Sequence, residues 1–156
     1  MKKFFLPFIF LITLSACGRM QTDETKPNLC INSAFSVNYM QGVYSAVIKA
    51  DANGSMTAEI TNPENLKDVS FRCTPEGMTV KCGELELDCA DGYYPFSDLY
   101  KALNFARLNV PASSGEKGNE TELVYENGKE KYFILVDTET GTVNRIQTPL
   151  GEYIKR

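Results

Sequence analysis

Hydrophobic and polar residues alternate with a period of two along most of the chain after residue 30. Phe35, Val37 and Tyr39 alternate with smaller or polar neighbours, and the same period continues in segments 43–50 and 55–61. Such alternation places one face of a strand in the core and the other in water. An Asn-Gly pair separates the last two segments and is a strong hairpin signal. These segments therefore predict antiparallel strands.

The segment 69–89 continues the alternation through two further turns. Cys73, Cys82 and Cys89 fall on its apolar side, so we expect all three side chains to point inward. Together with Cys30 they could form two disulfides in an exported protein, in any of three connectivities. Burial as small apolar residues explains them equally well, so the sequence leaves both readings open. Their spacing does not resemble a zinc ligand set, and no metal site is expected.

The period changes in segment 95–108, where apolar residues recur at steps of three and four. This spacing predicts one amphipathic helix of about three turns, with Ser97 as its N-cap and Asn109 at its end. The apolar face should pack on the sheet. The polar segment 111–120 that follows is predicted to be a mobile loop. The residues that define the apolar face are Phe96, Leu99, Tyr100, Leu103 and Ala106.

The remainder of the chain returns to strands. Segments 121–125 and 131–136 flank a second Asn-Gly hairpin signal. Residues 132–136 are apolar on both faces, which is typical of a strand covered on both sides. We predict an α+β fold for a single domain, residues 29–156: a curved antiparallel sheet of eight to ten strands, forming an open half-barrel on one helix.

The N-terminus carries an export signal. Lys2 and Lys3 precede an uncharged apolar run at 4–14, which is too short to cross a bilayer that needs ~20 residues. The tetrad Leu-Ser-Ala-Cys that ends at Cys17 resembles the lipobox of bacterial lipoproteins. The resemblance implies that residues 1–16 are removed and that a diacylglycerol is attached to the sulfur of Cys17. The alternative is an ordinary signal peptide with an incidental cysteine.

The lipid would fix the location of the protein. Two acyl chains suffice for stable membrane attachment, whereas one does not. Residues 17–28 comprise the lipidated cysteine and a polar tether without apolar periodicity. We therefore expect a protein that is held at the extracytoplasmic face of the cell membrane.

Composition limits the chemistry. The chain contains no His and no Trp, so it lacks an imidazole base. Without the two lysines of the signal peptide it carries 14 basic and 20 acidic residues, a net charge of -6 that argues against nucleic-acid binding. No cofactor is indicated and no enzymatic activity is expected. The aspartates fit turns, outer strand faces or the first helical turn, namely Asp51, Asp68, Asp88, Asp91 and Asp98.

A family resemblance adds to these patterns. The order TNPENLKDVSF, MTV, GELEL, FSDLYKALNFA and YFILVDTETGTVNRIQTP resembles small lipoproteins of clostridia and related Firmicutes. Their domain is similar to the LolA-like carriers and receptors of the Lol lipoprotein system, in which an unclosed β-barrel over a helix holds an apolar cavity. The resemblance spans roughly residues 35–149. Its motifs are turns, so no functional residue is transferred.

Two functions of different class are consistent with these features. The first is a structural or protein-interaction module at the cell envelope, with a filled core, as is usual in small domains. The alternative is a module that binds or carries an apolar ligand, such as an acyl chain or lipid, in a concave sheet. A cavity of several hundred Å³ lined by apolar groups would favour the second.

Overall fold

The structure is a computed structural model that describes residues 27–40, 42–89 and 95–156. The predicted signal peptide (1–16), the lipidation site at Cys17 and most of the tether lie outside the described residues, as does Asp91. No helix within the described ranges has both the length and the apolar character that a membrane crossing requires.

The described ranges contain eleven β-strands, one α-helix and one short 3-10 helix at Glu64–Leu66. The single helical turn follows the Asn-Pro break in the strand pattern. The helix α1 is Ser97–Leu108, and the strands are β1 (Ile31–Tyr39), β2 (Gly42–Ala50), β3 (Met56–Asn62), β4 (Val69–Thr74), β5 (Gly77–Cys82), β6 (Leu85–Cys89), β7 (Ser113–Lys117), β8 (Glu120–Asn127), β9 (Glu130–Asp137), β10 (Val143–Gln147) and β11 (Gly151–Lys155).

All eleven strands belong to one antiparallel sheet with the order β6-β5-β4-β3-β2-β1-β11-β10-β9-β8-β7. Strands that follow one another in the chain are also neighbours in the sheet, except β6 and β7, which form its two edges, so the first and last strands meet at its centre. There β1 pairs with β11, with Phe35 opposite Lys155 and Tyr39 opposite Gly151. The sheet is open because β6 and β7 each pair on one side. The predicted α+β class with an open antiparallel sheet and one helix is confirmed.

The predicted count of eight to ten strands is too low by one because of β7. Its residues, Ser113–Lys117, lie in the segment predicted to be a loop and pair with β8 along their whole length. All five side chains are exposed, so no buried apolar residue marks this strand in the sequence. It is an edge strand that is held by the backbone ladder and by an ion pair, in which Lys117 Nζ lies 2.6 Å from Glu122 Oε1.

The hydrophobic core lies between one face of the sheet and α1. Alternate residues of the central strands point into it, as the sequence pattern predicted for β1 and β3. Leu99, Ala102 and Leu103 of the helix are completely buried against them. Aromatic rings join the two layers, since Phe96 lies 5.1 Å from Phe71 and 6.1 Å from Tyr153 between ring centroids. These ring contacts join the helix to the sheet at the N-terminal end of α1.

The start of the helix differs from the prediction. Ser97 is the first helical residue rather than the N-cap, and Phe96 occupies the N-cap position with a left-handed φ of 74°. No side chain caps the first turn. Because Phe96 is fully buried between sheet and helix, we infer that packing of its ring sets the start of the helix.

Strand β9 is not covered on both sides, contrary to the prediction. Tyr132, Ile134 and Val136 are buried in the core, whereas Phe133 and Leu135 on the other face are only half-buried. Among the described residues, no second layer of secondary structure packs against that outer face. Neighbouring side chains within the sheet provide the partial cover.

Candidate functional site

An open groove of about 940 Å³ lies where α1 ends. Its walls come from segments that are far apart in the sequence: the residues before β1, the β2–β3 and β4–β5 turns, the last helical turn and the residues after it. Most of the lining is apolar, including Leu29, Leu108, Val110, Pro111 and Tyr125. The remaining polar groups lie among these apolar walls, so the groove can contact both parts of an amphipathic molecule.

Arg107 is the cationic group of the groove. It lies in the last turn of α1, where a positive charge interacts favourably with the helix dipole. Its Nη1 donates to Asn104 Oδ1 at 2.7 Å, and its Nη2 donates to the carbonyl oxygen of Leu29 at 3.2 Å. A guanidinium has five N–H donors, so these two contacts fix its position and leave donors for a ligand.

The environment of Arg107 is partly desolvated. The side chain is half-buried, and burial lowers its pKa below the ordinary value of 12.5. The charges of Cys30, Tyr100 and Asp51 act in the opposite direction. An arginine remains protonated at any physiological pH. The groove therefore contains a permanent positive charge beside apolar walls.

Two asparagine side chains add hydrogen-bond donors. Asn28 Oδ1 accepts a hydrogen bond from the backbone N–H of Cys30 at 3.1 Å, and Asn53 Oδ1 accepts one from Ser55 N–H at 2.9 Å. Each side-chain oxygen is thus occupied within its own turn. The amide NH₂ groups remain as donors at the groove, together with Arg107.

Asp98 forms a second polar cluster at the opposite end of the helix. It lies in the first helical turn, as predicted, and its side chain is buried. Its carboxylate accepts hydrogen bonds from Thr148 Oγ1 and from the hydroxyl of Tyr153, the latter at 2.8 Å. Thr148 precedes β11 and Tyr153 lies within it. The cluster therefore fastens the start of the helix to the centre of the sheet.

The four described cysteines, Cys30, Cys73, Cys82 and Cys89, are free thiols. Cys73 and Cys89 both register with Met78, on the two sides of β5. They are thus two strands apart, about 9–10 Å, whereas a disulfide requires Cα atoms within ~7 Å. Of the three cysteines predicted to point inward, only Cys73 is buried; Cys82 is exposed, because α1 does not extend over β5 and β6.

These environments predict unequal thiol reactivity. Burial raises the pKa of Cys73 to about 12, with a further contribution from Cys89. We expect Ellman's reagent to modify Cys30 and Cys82 promptly in the folded protein and Cys73 only after unfolding, because the thiolate is the reactive form. Peptide mapping after differential alkylation measures this order. Early labelling of Cys73, or a disulfide in the native protein, would contradict it.

Part of the site was absent from the sequence predictions. The sequence singled out neither Arg107 nor the asparagines of the groove, because they come from separate segments and form no motif. Within the described ranges, no group of three or more Cys, Asp or Glu side chains could hold a metal ion. The candidate site is the groove with Arg107.

The chain was compared with protein families, curated proteins and solved structures. No protein-family model matches the chain, and no curated protein matches it. Among solved structures, it is similar to a LolA superfamily protein from Nitrosomonas europaea, with a TM-score of 0.39 and 11% sequence identity. The match covers 75% of this chain and spans 61% of the other. The neighbour is described as a member of the superfamily that the sequence resemblance had indicated.

Proposed function

We propose that the protein is a lipid-anchored, non-enzymatic lipoprotein of the cell envelope whose groove binds a ligand with an apolar body and an anionic headgroup. A fatty acid or another acyl chain with a carboxylate fits this description. The observation that carries the proposal is the half-buried Arg107 among the apolar walls of a groove of about 940 Å³.

The size and chemistry of the groove support this ligand class. Small-molecule sites typically occupy ~300–1,000 Å³, with mostly apolar walls and few polar groups. A carboxylate can pair with Arg107, and the donors of Asn28 and Asn53 can bind its oxygens. Leu29, Leu108 and the other apolar side chains would cover the hydrocarbon part. Partial desolvation strengthens the pairing with Arg107, because the charge is less screened than in bulk water.

A polyene fatty acid tests the proposal. The mature chain, prepared without residues 1–16 and with Cys17→Ser, is titrated with cis-parinaric acid, whose fluorescence increases in apolar surroundings. We expect saturable binding at micromolar concentrations. Arg107→Gln should weaken it about tenfold, since a hydrogen bond to a charged group contributes about 1.5–3 kcal/mol. Non-saturable fluorescence in the unmodified protein would refute the proposed ligand class.

Two controls separate the role of the headgroup from that of the apolar walls. Arg145→Gln also removes an arginine, but one whose Nη1 lies 3.4 Å from Glu152 Oε1, outside the groove; it should leave the affinity unchanged. The methyl ester of the probe lacks the charge, so it should bind the unmodified protein and Arg107→Gln equally well. If Arg107→Gln weakens acid and ester alike, Arg107 does not recognise the headgroup.

The membrane anchor is a separate part of the proposal and rests on the lipobox that ends at Cys17. We expect intact-mass measurement of protein from its native host to give a chain that begins at Cys17 and carries the added mass of a diacylglyceryl group. Cys17→Ser should abolish both the lipid and membrane retention. A mature N-terminus elsewhere would contradict the anchor without bearing on the groove.

A protein-interaction module at the envelope is the second candidate, and the apolar face of β5 and β6 favours it. Leu85 and Leu87 are 70% and 65% exposed on the side of the sheet that faces the core elsewhere. Clustered exposed apolar side chains often mark interaction surfaces. Recovery of the same proteins from solubilised membranes by the unmodified protein and by a Leu85→Glu, Leu87→Glu variant would contradict this candidate.

A further inference from the structure

We propose that the mouth of the groove docks on the bilayer through Leu108 and Val110, so that these side chains insert among the lipids. This inference rests on the lipid anchor proposed above and is independent of the identity of the groove's ligand. Leu108 is 85% exposed and Val110 is 78% exposed, although both are large apolar side chains. They lie next to the end of α1 and form part of the groove lining.

The place where the N-terminal segment joins the domain supports a lipid bilayer as the binding partner of these two side chains. Pro27 and Asn28, the first described residues, line the same groove as Leu108 and Val110. Asn28 is held in place, because its N–H donates to the carbonyl oxygen of Gly141 at 2.9 Å. The preceding segment therefore enters the domain at the groove mouth.

The length of that segment limits how far the groove can be from an anchored Cys17. Ten peptide steps separate Cys17 from Pro27, and they span at most ~36 Å when fully extended. An anchored Cys17 thus keeps the mouth of the groove within about 36 Å of the bilayer surface. Two exposed apolar side chains at this mouth would be removed from water by contact with lipid.

The charge of the protein indicates which interaction drives this contact. The mature chain has a net charge of -6, so attraction to anionic lipids does not favour docking. Apolar insertion does not depend on anionic lipid. We therefore expect contact with vesicles of pure phosphatidylcholine and no increase when phosphatidylglycerol is added.

Tryptophan substitutions provide a direct test, because the chain contains no Trp. The full acylated lipoprotein is reconstituted into phosphatidylcholine vesicles with and without brominated acyl chains, as Leu108→Trp and as Val110→Trp. Each variant then has a single tryptophan, whose emission is excited apart from that of the eight tyrosines. We expect blue-shifted emission and strong quenching by the brominated lipid for both. The matched controls, Leu87→Trp on β6 and Val43→Trp on β2, replace side chains that are 65% and 71% exposed outside the groove; they should emit as in water.

This quenching experiment tests the docking surface separately from the lipid anchor and from the fatty-acid ligand. Equal quenching at positions 108 and 87, or none at position 108 in protein whose lipid is verified by intact mass, would overturn the docking surface. The vesicles contain no added fatty acid, so quenching at 108 and 110 supports docking even if cis-parinaric acid does not bind. Removal of the lipid by Cys17→Ser should greatly reduce quenching at both positions, since two side chains alone give weak attachment.

Discussion

Replacing Asp98 with alanine is expected to lower the free energy of unfolding by about 2 kcal/mol, because the buried hydroxyl of Tyr153 loses its acceptor, whereas that of Thr148 keeps the carbonyl oxygen of Gly151. The hydroxyls of Thr148 and Tyr153 both donate to this carboxylate, and all three residues are buried. A hydroxyl buried without a partner costs about 1–3 kcal/mol. Urea denaturation followed by circular dichroism measures the change.

Two variants serve as controls for the Asp98 prediction. Asp98→Asn keeps the shape and one acceptor oxygen, so its loss should be smaller than that of Asp98→Ala. Asp68→Ala removes an exposed aspartate and should change stability by less than about 0.5 kcal/mol, as surface substitutions usually do. Equal stability of Asp98→Ala and Asp68→Ala would show that the buried cluster does not hold the helix to the sheet.

A steep loss of stability is expected as the pH rises from 10 to 12. Burial raises the pKa of Tyr39 and of Tyr132 to about 12 from the ordinary value of 10.0, with smaller contributions from Asp98 and Glu130 respectively. Burial raises the pKa of Tyr153 as well. The unfolded chain loses these protons near pH 10, whereas the folded protein retains them. The stabilisation is therefore complete below pH 10 and disappears as the pH rises through the folded-state values.

Absorbance of tyrosinate near 295 nm, recorded together with circular dichroism, measures this transition. We expect part of the tyrosinate signal to appear only as the protein unfolds. Tyr39→Phe is the informative variant, because the Tyr39 hydroxyl is buried without a hydrogen-bond partner among the described residues. It should raise stability at neutral pH by about 1 kcal/mol and extend it to higher pH. Titration of all tyrosines at pH 10 in folded protein would contradict the prediction.

Most of the fold could be predicted from local patterns. Phe96, Leu99 and Leu103 recur at helical spacing in a chain that otherwise alternates, so the position of α1 was predictable from the sequence. Strand β7 could not be found in this way, because its five exposed residues contain no apolar side chain. Register places Cys82 on the same face of the sheet as the buried Cys73, yet Cys82 is exposed, because burial depends on the extent of α1, which alternation within a strand does not specify.

The candidate site was much less accessible to sequence reasoning. Arg107 resembles any basic residue in the last turn of a helix, and its contact with Leu29 joins positions 78 residues apart. Asp98 is buried by Thr148 and Tyr153, which lie 50 and 55 residues away. A pattern within one segment cannot report partners at such distances. The groove and the buried Asp98 cluster both depend on the order of the strands in the sheet, which brings distant segments together.

The pairing of β1 with β11 has a consequence for how the chain folds. Strands β1–β6 form one run of consecutive hairpins and β7–β11 form another, and the two runs pair along β1 and β11, from Phe35 opposite Lys155 to Tyr39 opposite Gly151. Each run can form from local contacts, but their junction joins residues 120 positions apart, which is slow to close. During synthesis the N-terminal half must therefore wait, with the edge of β1 that pairs with β11 uncovered, until β11 has been made.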